Sequence, residues 1–177
     1  MRKISLFLMI FIIVSIPLIS VEGGTKSLKY INEDLGFSFE YPADYKKEPT
    51  LTPIEIARFA KQNEFKLPVF TVSVRDRLDT KLIDLPERIV KSMEETIPNT
   101  SNYDINKTKS VKLSDGSDAI LFSFSWVWAD GETVMETVMI SAYKGDIQIT
   151  ISGTTMKGLD ISLKQISKYC MTLKFTL

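Results

Sequence analysis

Asp118 to Ser152 reads DAILFSFSWVWADGETVMETVMISAYKGDIQITIS, and this run decides the fold class. Ile120, Phe122, Phe124, Trp126 and Trp128 fall on one side of an alternating pattern, with Leu121, Ser123, Ser125 and Val127 on the other. A period of two over that length predicts a strand at 118–129. Asp130-Gly131 and Lys144-Gly145-Asp146 are hairpin turns by composition, so further strands are expected at 133–143 and 147–152. In the strand at 133–143, Val134, Val138 and Ile140 oppose Met135, Met139 and Tyr143. Both faces at the centre of the sheet therefore carry apolar groups, and both are expected to be covered.

Moving outward, Ser114-Asp115-Gly116 joins this meander to one more strand signal at 103–113. Before it the period changes. Leu85, Ile89, Met93 and Ile97 recur every four residues, with Asp84 and Glu87 at capping-box spacing, Pro86 in the first turn and Pro98 as the stop. A helix at 84–97 follows. After the meander, Leu159, Leu163, Ile166, Cys170 and Leu173 form a second helical stripe, with Asp160, Lys164, Ser167 and Lys168 on its solvated side. Towards the N-terminus, 28–31 and 36–41 read as a hairpin closed by Pro42, with Ala43-Asp44-Tyr45 as the turn out of it. Strands at 54–60 and 69–75 complete the set. Two helices laid on a mainly antiparallel sheet define an α+β sandwich.

The 177 residues hold 22 Lys plus Arg, 22 Asp plus Glu, no histidine and one cysteine. Without histidine there is no Ser-His-Asp triad, no Cys-His pair and no imidazole ligand for a metal. One cysteine excludes an internal disulfide or a CxxC pair, and Cys170 on the helical stripe reads as a buried structural residue. Zero formal charge offers no general field for nucleic acid. Arg2 and Lys3 precede an apolar run from Ile4 to Ile19, which is the form of a secretory signal with cleavage after Gly23. Its uninterrupted core, Leu6 to Val14, is well short of the ~20 residues that span a bilayer, although an uncleaved anchor is the alternative. Residues 24–177 are then one domain in the periplasm, the cell envelope or outside the cell, touching a membrane only through an uncleaved leader.

The run Gly36-Phe37-Ser38-Phe39-Glu40-Tyr41-Pro42-Ala43-Asp44-Tyr45-Lys46 resembles the opening of the PsbP-like proteins, relatives of the extrinsic oxygen-evolving protein of photosystem II. There, too, a glycine-led aromatic strand runs into Tyr-Pro and an aromatic-Lys pair. The order of elements, Lys144-Gly145-Asp146 and the ending Leu173-Lys174-Phe175 extend the likeness to the wider Mog1/PsbP-like group. The resemblance implies a three-layer sandwich, with a central antiparallel sheet between helices, and a non-enzymatic habit of binding partners. Familiar members bind metal partly through histidine and dock through a basic N-terminal segment. This chain has no histidine and only a few residues between the expected cleavage point and Leu28, so no metal ligand, cofactor or docking residue is carried over.

The residues themselves offer one candidate partner surface. Phe122 and Phe124 read as core, whereas Trp126 and Trp128 run up to the turn that carries Asp130 and Glu132. If both indoles are exposed, that tip is the expected contact with an envelope or membrane-associated protein. An alternative is a carrier of a small ligand or divalent cation, using Met135 and Met139 or the turn carboxylates Asp115, Asp118, Asp130, Glu132 and Glu136. No G-x-S-x-G element, glycine-rich phosphate loop or distinguished carboxylate pair points to an enzyme.

Overall fold

A computed structural model describes residues 26–159 and 162–176. The leader expected at 1–23, and Asp160 on the second helical stripe, lie outside the described residues. In chain order the elements are β1 (Ser27–Asn32), β2 (Phe37–Pro42), β3 (Tyr45–Glu48), β4 (Glu55–Lys61), β5 (Val69–Asp76), a 3-10 turn (Leu82–Asp84), α1 (Leu85–Thr96), β6 (Ser101–Lys112), β7 (Asp118–Val127), β8 (Val134–Lys144), β9 (Ile147–Met156), α2 (Leu163–Cys170) and β10 (Lys174–Phe175).

The meander forms as expected, with β6 to β9 as consecutive antiparallel neighbours in a seven-stranded sheet ordered β3-β4-β5-β9-β8-β7-β6. Every pair in it is antiparallel. The N-terminal hairpin does not join that sheet. With β10 it makes a separate three-stranded sheet, β1-β2-β10. The fold is thus mainly antiparallel strand with two short helices.

Two buried clusters lie on opposite faces of the large sheet, as the alternation along β7, β8 and β9 requires. On one face, Val138, Ile140, Ile149 and Ile151 pack with Phe37 and Phe39 of the small sheet and with Ile166, Cys170 and Leu173. On the other, Ile120, Phe122, Phe124, Trp126 and Met135 pack with Leu85, Ile89 and Val90 of α1. The expectation that both faces are apolar holds for β7 but fails further along this second face. There β5 and β9 present hydroxyls: Thr71 to Ser152 at 2.6 Å, Thr150 to Ser141 of β8 at 2.7 Å, and Thr154 to Thr137 of β8 at 3.0 Å. Threonine suits a strand as well as valine does, and a hydroxyl paired with its cross-strand neighbour can be buried without leaving a donor unmet.

Four local expectations are corrected. Asp84 does not close a capping box, because the chain enters α1 from the 3-10 turn and leaves Asp84 in helical geometry (φ −92°, ψ −6°) with no side-chain cap bond. The C-terminal stripe is not one helix from Leu159 to Leu173. Ser162 caps α2 by accepting from the Gln165 N–H, and Leu173 stays fully buried beyond the helix. Tyr45 opens β3 instead of ending a turn, its buried ring 5.7 Å from Phe70. Lastly, β9 runs to Met156, through Gly153. A Cβ at Gly153 would lie 2.2 Å from Ile166 Cγ2 and 3.0 Å from Phe70 Cε1, so this glycine is where α2 sits down on the sheet.

The two sheets are tied at one corner. Lys144, ending β8, donates from Nζ to the carbonyls of Leu35 (3.0 Å), Gly36 (2.7 Å) and Thr176 (3.2 Å). Gly36 has φ +59°, and a Cβ there would fall 2.2 Å from Lys144 Nζ. The glycine that opens the 36–46 motif therefore serves both a left-handed turn and the passage of this lysine.

Candidate docking site

The β7–β8 turn is built by its own acid. Asp130 Oδ1 accepts from the N–H groups of Glu132 (3.0 Å) and Thr133 (2.8 Å), and Oδ2 accepts from the Thr133 hydroxyl. Gly131 takes φ +76° and donates to the Trp128 carbonyl at 2.9 Å, while the Trp128 N–H donates to Thr133 at 2.8 Å. These bonds, the Thr133 hydroxyl first, hold the Asp130 carboxyl below the ordinary carboxylate range.

Trp128 stands on this turn with 49% of its surface exposed. Trp126 is only 6% exposed, so of the two indoles Trp128 alone meets the condition of exposure. The cause lies on the neighbouring strand, where Tyr103 of β6 stacks on Trp126 at 6.0 Å and 7° and on Phe124 at 6.2 Å. The Trp126 Nε1–H donates to Thr137 Oγ1 at 3.3 Å, which satisfies the buried indole. Trp128 meets Trp126 at 5.3 Å and 46°. An aromatic file thus runs from the α1 cluster to the surface and ends in one fixed, half-exposed indole with Asp130 and Glu132, both exposed, beside it.

A second exposed aromatic, Phe65, is 57% exposed in the β4–β5 connection. The registers Val69 with Thr154, Met135 with Met156 and Trp126 with Met135 place that connection and the β7–β8 turn at the same end of the sheet. Three strand spacings separate them, roughly 14 Å. Neither Tyr103 nor Phe65 was marked by sequence reasoning: the stacking depends on a non-local register past two bulges in β6, and a lone phenylalanine in a loop carries no pattern.

The other candidates are scattered. Asp115 accepts from the Ser117 N–H at 2.8 Å and from the Phe175 N–H, tying the β6–β7 turn to β10. Burial alone would raise its pKa, but these backbone donors outweigh that and lower it. Asp118 pairs with Lys112 at 2.7 Å. Glu136 is half-buried on β8, and among the described residues no three acids or cysteines gather as a metal site. Met135 is buried in the α1 cluster and Met139 packs half-buried against it. Cys170 is fully buried, which pushes its thiol up to about 12.

The two sheets, the α1 crossover between β5 and β6 and the C-terminal helix place the chain in the PsbP/Mog1-like fold group. The chain aligns with the solution structure of cyanobacterial PsbP (CyanoP) from Synechocystis sp. PCC 6803 at a TM-score of 0.68 and 14% identity, covering 90% of this chain and 99% of that one. It aligns with the crystal structure of the Saccharomyces cerevisiae Ran-binding protein Mog1p at 0.62 and 8% identity, covering 85% and 96%. With a crystal structure from Bacteroides thetaiotaomicron the figures are 0.52 and 17%, over 84% of this chain and 48% of that one. At these identities the likeness is one of fold. No family model matches the chain, and no curated protein matches it in sequence.

Proposed function

We propose that this protein is an exported, non-enzymatic binding module that docks to an envelope or membrane-associated protein through the β7–β8 tip. The observation that carries the reading is Trp128, whose half-exposed indole packs on Trp126 and whose backbone is bonded into a turn locked through Asp130. Side chains fixed before binding lose little entropy on contact, and tryptophan is the commonest anchor of protein interfaces. Asp130 and Glu132 beside it favour a partner with an apolar pocket rimmed by basic groups. The non-enzymatic part is supported by the absence of histidine, by the burial of the single cysteine and by the use of the turn acids in holding backbone. We read α1, the large sheet, and α2 with the small sheet as the three layers of the sandwich.

The test is capture of partners from an envelope extract by the wild-type protein and by Trp128→Ala in parallel. A stoichiometric partner whose affinity falls about 30-fold on truncation of the anchor is the expected result, equivalent to about 2 kcal/mol. Equal capture by both proteins would refute the site. A thermal shift of several degrees with one metal ion, and no partner, would refute the function.

A further inference from the structure

A groove of about 530 Å³ opens between the first turn of α2 and strands β6 to β8. Its floor is apolar, from Leu121, Val138 and Leu163, and its rim carries Lys107, Lys109 and Lys164. It lies on the α2 face of the sheet, away from the Trp128 tip, and is independent of the docking reading. The volume is that of a small-molecule site, and the mixture of lining groups suits a ligand with a chain to bury and one charge to place.

Charge decides the class. Among the described residues no salt bridge involves Lys107, Lys109 or Lys164, and no acid lines the groove. Lysines on an edge strand such as β6 are a common guard against strand pairing, which accounts for Lys107 and Lys109. That account does not extend to Lys164, which comes from α2 and shares the same hollow. The partial positive charge at a helix start adds to the three ammonium groups.

We propose that this groove binds a small amphipathic carboxylate, its aliphatic chain on Leu121, Val138 and Leu163 and its head among Lys107, Lys109 and Lys164. The experiment is an NMR or calorimetric titration of the protein with hexanoate, octanoate and decanoate below their micelle concentrations, beside decanol, decyltrimethylammonium and hexaglutamate. Affinity is expected to rise about fourfold for each added methylene, with shifts at Leu121, Val138 and Leu163. The cationic and neutral analogues should bind at least tenfold more weakly than decanoate. The triple variant Lys107→Gln/Lys109→Gln/Lys164→Gln, in which only exposed side chains change, should lose decanoate binding at least tenfold and keep the wild-type Tm. Leu163→Asp should lose it as well, through the floor. Absence of binding, equal binding of decyltrimethylammonium, or hexaglutamate matching decanoate would each overturn the proposal.

Discussion

Replacing Gly153 by alanine tests how α2 is seated. The new methyl would lie 2.2 Å from Ile166 Cγ2 and 3.0 and 3.3 Å from Phe70, against 3.4 Å for ordinary contact, so Ile166 has to retreat by about 1.2 Å. Both neighbours are fully buried, and Phe70 is itself held edge-on by Tyr169 at 5.8 Å. Overpacking of this kind costs about 1–3 kcal/mol, and the stiffer unfolded chain returns about 0.4–1 kcal/mol. A net loss of about 1.3 kcal/mol lowers Tm by about 3–5 °C for a chain of this size. Urea denaturation of Gly153→Ala, Ile166→Ala and the double variant closes the argument. Ile166→Ala alone should cost about 2–5 kcal/mol, and in the double variant the added methyl occupies part of the space it leaves. The double is expected to be more stable than additivity predicts by about 1 kcal/mol or more. A Tm for Gly153→Ala within about 1 °C of wild type, or additivity within about 0.5 kcal/mol, would refute the seating.

Two further expectations concern the turn and the corner tie. Asp130 has a lowered folded-state pKa, so its contribution is complete above the unfolded value of about 3.9 and disappears as pH falls through the lower folded value. A carboxyl NMR titration of Asp130 should have its midpoint below about 3.9, with the Trp128 indole signal following it; a midpoint at or above that value would contradict the turn bonding. Lys144→Met leaves the carbonyls of Leu35 and Thr176 without the lysine donor and Gly36 with the Thr176 N–H alone, at a cost of about 1.5–3 kcal/mol. Hydrogen exchange should then quicken first at Thr176, whose N–H donates to the Gly36 carbonyl, and unchanged exchange there would show that Lys144 is not the tie.

What could be read from the sequence was whatever repeats locally. The Phe122 to Trp126 alternation and the Asp-Gly and Lys-Gly-Asp turns fix β7, β8 and β9, and a four-residue repeat fixes α1. The strand expected at 147–152 stops short of Gly153, whose lack of a side chain is what allows α2 to close on β9. β3 and β10 are four and two residues long, too short for any period, and exist only through β4 and β2. At the candidate site, Trp128 and Asp130 were legible as a hairpin tip. The cover over Trp126 was not, since it depends on Tyr103 arriving from another strand. Nor was the lysine groove, because Lys107 and Lys164 meet only once α2 has docked.

The small sheet has a consequence for how the molecule assembles. Its strands come from the two ends of the described chain, with Ser38 opposite Lys174 and the Glu40 N–H bonded to Thr172 Oγ1 across 132 residues. Contacts of such separation give little return until the intervening chain is in place, which makes this the slow, high-contact-order part of the fold. The meander can form from neighbours alone, whereas Phe37 and Phe39 gain their cover only when the small sheet and α2 pack on the large one. In a refolding experiment the Thr176 amide, which donates to the Gly36 carbonyl, should gain protection after that of Ile140, and simultaneous protection would argue for a single concerted closure. One face of the core thus draws at once on both ends of the described residues, so loss of β1 and β2 or of the α2 segment opens the same layer.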